Sequence, residues 1–221
     1  MYIYSFFNYI DVVEDRLSDK KSQLKKRFNR TDNFINLTLL GVQECMENME
    51  IEKNSSIYLA SRNGNMNTTI KVLDAIFLQN RLPMPFNFLN TVNASTLFFI
   101  ARNFNIEGKT LFVDRFETAL PQAFVDVKNG KTVLLGVVEE AIEDLTLHKK
   151  RFKSKNIKEK SQWLLLSSKI EDKEPIAKIH DIKLNFKKEE INNIDELFSF
   201  LDSSRGVFSF KGRNLSFKVK I

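Results

Sequence analysis

Apolar and polar residues follow strand-like and helix-like periods in turn along the first 140 residues. Short apolar runs predict strands over 2–7, 56–60, 109–113 and 132–138. Between them, helical spacing predicts helices that begin near Thr31 or Asp32, begin after Gly64, cover 89–101, and run from Thr118 to Val127. This alternation of strands and helices predicts a mostly parallel sheet with helices on both faces.

The apolar faces of these helices predict what each helix buries. The first helix has its apolar face at Ile35, Leu39, Val42, Met46 and Met49. The second has Met66, Ile70, Leu73 and Phe77 on one side, and Pro83 and Pro85 end it. Residues 89–101 are apolar nearly all round, which predicts a helix that is buried on every face.

The pattern changes after residue 160 and predicts antiparallel strands. They cover 162–168, 176–186, 206–211 and 214–220, and Gly212-Arg213-Asn214 joins the last two as a hairpin. A helical stretch over 189–202 lies between them. We expect one domain over 1–221, with a core of about 1–170 and antiparallel additions over about 171–221, at the sheet's edge or as a small flap.

The composition fits a compact globular chain in a reducing compartment. Its 221 residues are 43% hydrophobic and include 20 Phe but only 7 Gly and 4 Pro. The single cysteine, Cys45, excludes an intramolecular disulfide and a cysteine-cluster metal site, and we expect no metal and no cofactor. Residues 2–7 form a first strand rather than a signal peptide, and no apolar run reaches the ~18 residues of a membrane span. We therefore expect a cytoplasmic protein.

Positive charge is concentrated in one segment, residues 149–160. It contains seven basic residues and one acid, an excess of six that equals the chain's whole net charge of +6. A solvated, mobile loop is one interpretation of this segment and a docking site for an acidic partner is another. Nucleic acid is not expected, because Phe152 is the only aromatic residue there and no nucleic-acid module is present.

Three motifs, in their order and spacing, resemble those of a known family. They are Lys26-Arg27-Phe28-x-Arg30 before the first helix, Ala60-Ser61-Arg62-Asn63-Gly64 at a strand end, and Asn93-Ala94 at a helix start. Residues 25–140 resemble the N-terminal half of a β-ketoacyl synthase, and more narrowly the short proteins that contain only that half. The resemblance implies an α/β fold, half of a thiolase-like fold, with a mixed, mostly parallel sheet between helices and extra antiparallel C-terminal strands.

The resemblance also implies where the chemistry would lie. In that fold, Gly108 to Ala119 holds the strand, the elbow and the helix start that present a nucleophilic cysteine, and that position falls on Glu117. The ligand-binding positions it implies are Arg62, Asn93, Arg115 and Phe116. Lys149, Lys150, Arg151 and Lys153 would bind acyl carrier protein. The strand at 109–113 would pair with its counterpart in a partner, which is a second copy or a full-length ketosynthase.

Condensation by this chain alone is not expected. The reaction needs a thiolate, and full synthases also take histidines, or histidine and asparagine, from a second half that is not present here. Cys45 is predicted to be a small core residue. The two histidines, His148 and His180, are predicted to lie on the surface or in an edge strand. Glu117 is interpreted as a cap at a helix start, with a chemical role as the alternative.

Three functions follow as hypotheses. The first is a non-condensing partner or accessory subunit in fatty-acid or polyketide-type assembly, aryl-polyene-like pathways included. The second is an enzyme that decarboxylates malonyl carrier protein or hydrolyses a thioester with Glu117. The third is a module that binds acyl carrier protein or an acyl chain.

Overall fold

The computed structural model describes residues 1–13, 29–153, 157–184, 192–203 and 205–221. Its elements in chain order are β1 (Tyr2–Val13), α1 (Asn33–Cys45), β2 (Ser56–Ala60), α2 (Met66–Phe77), α3 (Pro85–Asn90), α4 (Asn93–Phe104), β3 (Thr110–Val113), α5 (Phe116–Lys128), β4 (Val133–Glu139), α6 (Leu145–Phe152), β5 (Ile157–Ser167), β6 (Ala177–Leu184), α7 (Ile194–Ser203), β7 (Val207–Lys211) and β8 (Leu215–Lys220). The predicted motif at Lys26-Arg27-Phe28 lies outside the described residues. Among the described residues, no helix is long and apolar enough to cross a membrane.

The described strands form one mixed sheet in the order β3-β2-β4-β5-β1-β6-β8-β7. Parallel pairing joins β2 to β3 and β2 to β4, and the other strand pairs are antiparallel. The predicted fold class is therefore confirmed, but the parallel part is smaller than expected. The reason is that β1 pairs along most of its length with β5, which itself runs antiparallel to β4.

Each face of the sheet has its own apolar core. On one face, α1 and α4 pack around the fully buried Trp163. The indole ring lies so close to the backbone of Gly41 in α1 and Gly136 in β4 that a Cβ at either glycine would collide with it. On the other face, α5 and α7 pack with apolar residues of β6, β7 and β8. Two covered faces of this kind define the layered helix–sheet–helix architecture.

The C-terminal strands continue this sheet and do not form a separate flap. β6 pairs with β1 at one end and with β8 along its length, and β7 closes the opposite edge from β3. The hairpin through Gly212 is confirmed, because the Gly212 N–H donates to the Leu215 carbonyl at 2.7 Å. The expected helix is α7, which buries Leu197 and Phe198.

Two helix predictions were wrong in the direction of their apolar faces. The first turns of α2 bury Asn67 and Thr68, while the apolar Leu73 and Phe77 are exposed. The stretch 89–101 is not one fully buried helix, because it is divided between α3 and α4 and exposes Val92 and Phe98. In α2 the reason is that the hydrogen-bonding side chains of Asn67 and Thr68, together with Val72, occupy the inner side of the helix.

The basic segment is not the loop that its composition suggested. Its first residues form the last turn of α6, and Ile157 to Lys160 belong to β5. Residues 154–156 lie outside the described residues. In this part of β5 alternate residues are buried, and each pairs regularly with a residue of β1. This pairing explains why a segment rich in lysine forms a strand.

Candidate functional site

A cleft of about 630 Å³ opens at the carboxyl ends of the three parallel strands. β2, β3 and β4 end at Ala60, Val113 and Glu139 on the same side of the sheet, since parallel strands share their direction. This is the position at which open α/β sheets place their ligands. The wall is formed by Ala60, Arg62, Asn63, Asp114, Arg115, Phe116, Glu117, Val137, Glu139, Glu140, His148, Lys158, Lys160, Asn192, Asn193, Ile194 and Asp195.

Glu117 lies in this cleft, in the first turn of α5, at the elbow where the sequence predicted it. It is half-buried, and the free backbone N–H groups of a helix start stabilise a carboxylate at that place. The turn between β7 and β8 lies directly beside it. A Cβ on Gly212 would stand 2.7 Å from Cγ of Glu117, so a residue without a side chain is needed there.

The predicted ligand-binding residues divide into three groups by position. Arg62 and Arg115 line the cleft, and the Arg115 guanidinium pairs with the Asp114 carboxylate at 3.3 Å. Phe116 borders the cleft but is buried and packs edge-on against Phe210, so it belongs mainly to the core. Asn93 is not part of the cleft wall; it stands at the start of α4 against Gly64.

A charged pair that the sequence did not predict lines the cleft. The ammonium of Lys160 on β5 lies 2.9 Å from the carboxylate of Asp195 on α7, with both side chains more than four-fifths buried. Glu139 at the end of β4 accepts from the Arg62 N–H at 2.9 Å and from the Ser61 hydroxyl at 3.3 Å. Burial raises the pKa of Glu139, an effect that the Arg62 N–H and the charge of Lys160 oppose.

Glu140 is a buried acid with a strongly shifted pKa. Its pKa is raised to about 8, mainly by burial and also by the charges of Asp32 and Glu159, against the opposing effect of the Asn33 and Asn67 amides. The group is therefore mostly protonated at neutral pH. A signal for it was present in the sequence, because two consecutive glutamates directly follow the apolar run 132–138 and so fall at the carboxyl end of a buried strand.

The surface or edge-strand position predicted for His148 was wrong, whereas His180 does lie partly at the surface. His148 is buried beside the cleft, where its Nδ1 accepts a hydrogen bond from the Ile142 N–H at 3.0 Å. Burial lowers the pKa of His148, so the ring is neutral at pH 7. His180 is partly exposed and lies 3.5 Å from the Asp181 carboxylate. Its strand, β6, lies between β1 and β8 and is not an edge strand.

Cys45 is a core residue, as predicted. It is fully buried in the α1 side of the molecule, on the opposite face of the sheet from α5. Burial raises the pKa of its thiol to about 12, which keeps the thiol protonated and unreactive. Because the chain has one cysteine, the cleft contains no thiol.

The residues predicted to bind an acidic partner lie together on the surface. Lys149, Lys150 and Arg151 form the last turn of α6, and Lys153 follows it with a left-handed backbone (φ 51°). All four are exposed and none lines the cleft. The helix dipole stabilises cations at a helix C-terminus. The three basic residues in the last turn of α6 can therefore also stabilise the helix itself.

Comparison with known proteins identifies the fold. No protein-family model and no curated protein matches the chain. Among solved structures, the chain is similar to one described as a ketosynthase in complex with its chain length factor, from Xenorhabdus doucetiae, at 13% identity and a TM-score of 0.62. That match covers 98% of this chain and 99% of the other. The chain has a thiolase-like fold. It is also similar to a fungal type III polyketide synthase at 7% identity and a TM-score of 0.44, over 84% of this chain and 46% of the other.

Proposed function

We propose that this chain is a non-condensing, ketosynthase-like protein that acts as the partner subunit of a condensing synthase in fatty-acid or polyketide-type assembly. The observation that carries the proposal is Glu117, which occupies the cleft at the elbow before α5 where the resemblance places a nucleophile. The only thiol is buried on the other face of the sheet. A carboxylate cannot form the thioester that condensation requires, so the chain needs a partner for that step.

The open edge of the sheet supports assembly with such a partner. In β3, the carbonyls of Lys109 and Val113 accept from Ile57 and Ser61 of the neighbouring strand region. Because backbone groups alternate in direction along a strand, those of Thr110 and Phe112 point away from β2 toward the open edge. No charged residue lies within Thr110–Val113, and an edge of that kind favours pairing with another strand. Dimer formation through 109–113 therefore remains part of the proposal.

The cluster at the end of α6 supplies the second contact of the proposal. Lys149, Lys150, Arg151 and Lys153 present an exposed positive surface that would bind the acidic face of an acyl carrier protein. Such contacts steer association and weaken with added salt. The helix α6 packs against β5, and β2 and β4 lie between β5 and the edge strand β3. One subunit could therefore contact both partners.

We expect the purified chain to form no carbon–carbon bond from an acyl donor and malonyl carrier protein. Mass spectrometry of the carrier protein measures this directly, with a condensing synthase as the positive control. A condensation product that disappears in a Cys45→Ala variant would contradict the proposal.

The same samples test the alternative of decarboxylation or thioester hydrolysis, which the position of Glu117 in the cleft favours. That alternative fails if Glu117→Gln releases carbon dioxide and free acid at the rate of the unmodified chain.

We expect a Phe112→Lys substitution to abolish assembly through β3. The lysine charge would be buried beside the partner strand without a counter-ion, at a cost of several kcal/mol. The tagged chain is purified from its native cell, and mass spectrometry identifies whether a cysteine-containing ketosynthase co-purifies. Val207→Lys, at an exposed position of the opposite edge strand, is the control for the added charge, and circular dichroism checks that Phe112→Lys still folds, because Phe112 packs partly against the core. Co-purification that Phe112→Lys leaves unchanged would remove the edge strand from the interface.

A further inference from the structure

The last three strands of the chain leave one side of the sheet uncovered. Their core residues, Phe210 and Phe217 among them, point to the side that α5 and α7 cover. Side chains alternate along a strand, so the neighbours of these residues lie on the other side. In the described part of the chain, the helices on that other side, α1 and α4, pack mainly against β1 to β5. We call the uncovered side the lysine face; its residues are Lys178, His180, Lys183, Val207, Ser209, Lys211, Ser216, Lys218 and Lys220.

The pairing register of β6, β8 and β7 brings the lysines of this face close together. The residues that stand opposite one another across the three strands are Lys178–Lys220–Val207, His180–Lys218–Ser209 and Lys183–Ser216–Lys211. Residues directly opposite have Cβ atoms about 4.5–5.5 Å apart, and residues two positions apart along a strand are about 7 Å apart. From these spacings, the backbones of all five lysines lie within roughly 17 Å of one another.

One pair of lysines on this face is unfavourable for the fold itself. Lys178 and Lys220 stand directly opposite each other, and like charges in that position destabilise a sheet. Among the described residues, neither ammonium group has a carboxylate within ion-pair distance; that of Lys178 lies 5.5 Å from the centre of the Tyr2 ring. A sheet face that only had to stay in water would mix the two signs of charge. The pair therefore indicates that the face binds something negative.

A single acid, Asp181, lies among the lysines. It stands at a bulge of β6 with a left-handed backbone (φ 54°), and its carboxylate lies 3.2 Å from the Lys218 ammonium and 3.5 Å from Nδ1 of His180. Against five lysines this leaves an excess of four positive charges on one side of three strands. The excess lies within a distance over which charges act together at low salt.

The composition of the lysine face suits a lipid surface better than a protein or a nucleic acid. The centres of protein interfaces are enriched in arginine and aromatic residues and depleted of lysine and serine. The lysine face has five lysines and two serines and has neither arginine nor Phe, Tyr or Trp. It therefore lacks the planar forks that pair with carboxylates and the rings on which bases stack. Anionic headgroups need neither, because they attract lysine through its charge alone.

We infer that the lysine face binds the surface of a bilayer that contains anionic phospholipids. The contact is peripheral and reversible, and it is made by charge, with the 57% exposed Val207 as an apolar neighbour of the headgroups. The face lies at the opposite end of the sheet from β3, and none of its residues lines the cleft. The β3 edge and the cleft therefore stay open while the protein is on the bilayer. This inference goes beyond the proposed function and does not depend on it.

The test is flotation of the purified full chain with two kinds of vesicle, phosphatidylcholine alone and phosphatidylcholine with roughly one-third phosphatidylglycerol. We expect binding to the anionic vesicles only, and release in about 0.5 M sodium chloride, which screens the lysines. Lys178→Gln combined with Lys220→Gln should weaken binding about twenty-fold, because each lysine near an anionic surface strengthens it about five-fold. The same double variant removes the like-charge pair, so its resistance to urea should not fall.

The matched control is Lys149→Gln combined with Lys150→Gln, which removes the same charge at α6. This helix packs against β5, whose residue Ile157 pairs with Val13, whereas Lys178 pairs with Tyr2 at the other end of β1. The control should change vesicle binding by less than about two-fold. An equal loss in both double variants would mean that binding follows the overall charge, and it would overturn the inference.

Four further results would also overturn the inference. Equal binding to neutral vesicles is one, and binding that Leu82→Asp abolishes is another, because the 96% exposed Leu82 belongs to the apolar residues beside α3. Failure to bind either vesicle is the third. The fourth is tight binding of a purified acyl carrier protein or a single-stranded oligonucleotide that the Lys178 and Lys220 double variant abolishes, since this would assign the face to an acidic protein or to a nucleic acid.

Discussion

Replacing Trp163 with alanine should lower the free energy of unfolding by about 3–5 kcal/mol, the usual cost of removing a fully buried aromatic side chain. Trp163 stands on β5 in the core between the sheet and α1, and its indole N–H donates to the Ser161 hydroxyl at 3.0 Å. Gly41 and Gly136 leave the space that the ring fills. The surrounding backbone cannot collapse into the cavity, because strand pairing holds β4 and β5 on both sides.

Urea unfolding followed by far-UV circular dichroism measures this loss, since the variant has no other tryptophan to report by fluorescence. Trp163→Phe keeps much of the ring volume and should lose less stability. Phe77→Ala removes an aromatic side chain that is 76% exposed and should change the stability of the isolated chain by no more than about 0.5 kcal/mol. A Trp163→Ala variant as stable as Phe77→Ala would mean that α1 does not pack on the sheet as described.

Sequence periodicity predicted the strands of the first half well, because each is a short uninterrupted run of apolar residues that are buried together. β2 was predicted with the bounds that it has, Ser56–Ala60, and all five of its residues are buried. The cap of α1 was also predictable, since Asp32 accepts from the Ile35 N–H at 2.8 Å. The pairing of β1 with β5 was not, because it joins residues more than 140 positions apart and neither strand indicates its partner.

The inward and outward sides of α2 could not be predicted for a different reason. Periodicity identifies an apolar side of a helix but not whether that side meets the core or another chain. For Leu73 and Phe77 the apolar side is exposed, and the hydrogen bonds of Asn67 decide the orientation. The same limit applied to His148, whose burial depends on α6 folding back onto β5. The elbow that holds Glu117 was easier to predict, because the strand and helix on its two sides are adjacent in sequence.

Glu140 should make the protein lose stability as the pH rises through neutrality, in the direction opposite to most carboxyl groups. Its ordinary pKa of 4.5 applies in the unfolded chain, and burial raises the folded value to about 8. Below pH 4.5 the group is protonated in both states and its contribution to stability is complete. Between pH 4.5 and pH 8 the folded state holds a proton that the unfolded chain has lost, so stability falls by up to about 1.4 kcal/mol per pH unit. Above pH 8 this contribution is fully lost.

A Glu140→Gln variant isolates this contribution, because glutamine is neutral at every pH and has nearly the same shape as protonated glutamate. The variant should gain stability relative to the unmodified protein by about 2–4 kcal/mol between pH 5 and pH 8. Asp32 and Glu159, whose charges raise the pKa of Glu140, are present in both proteins. Glu143→Gln is the control, since this half-exposed carboxylate pairs with Lys71 on the surface and contributes little. A stability difference between Glu140→Gln and the unmodified protein that stays constant from pH 5 to pH 8 would show that Glu140 is ionised in the folded state, with water reaching it through the cleft.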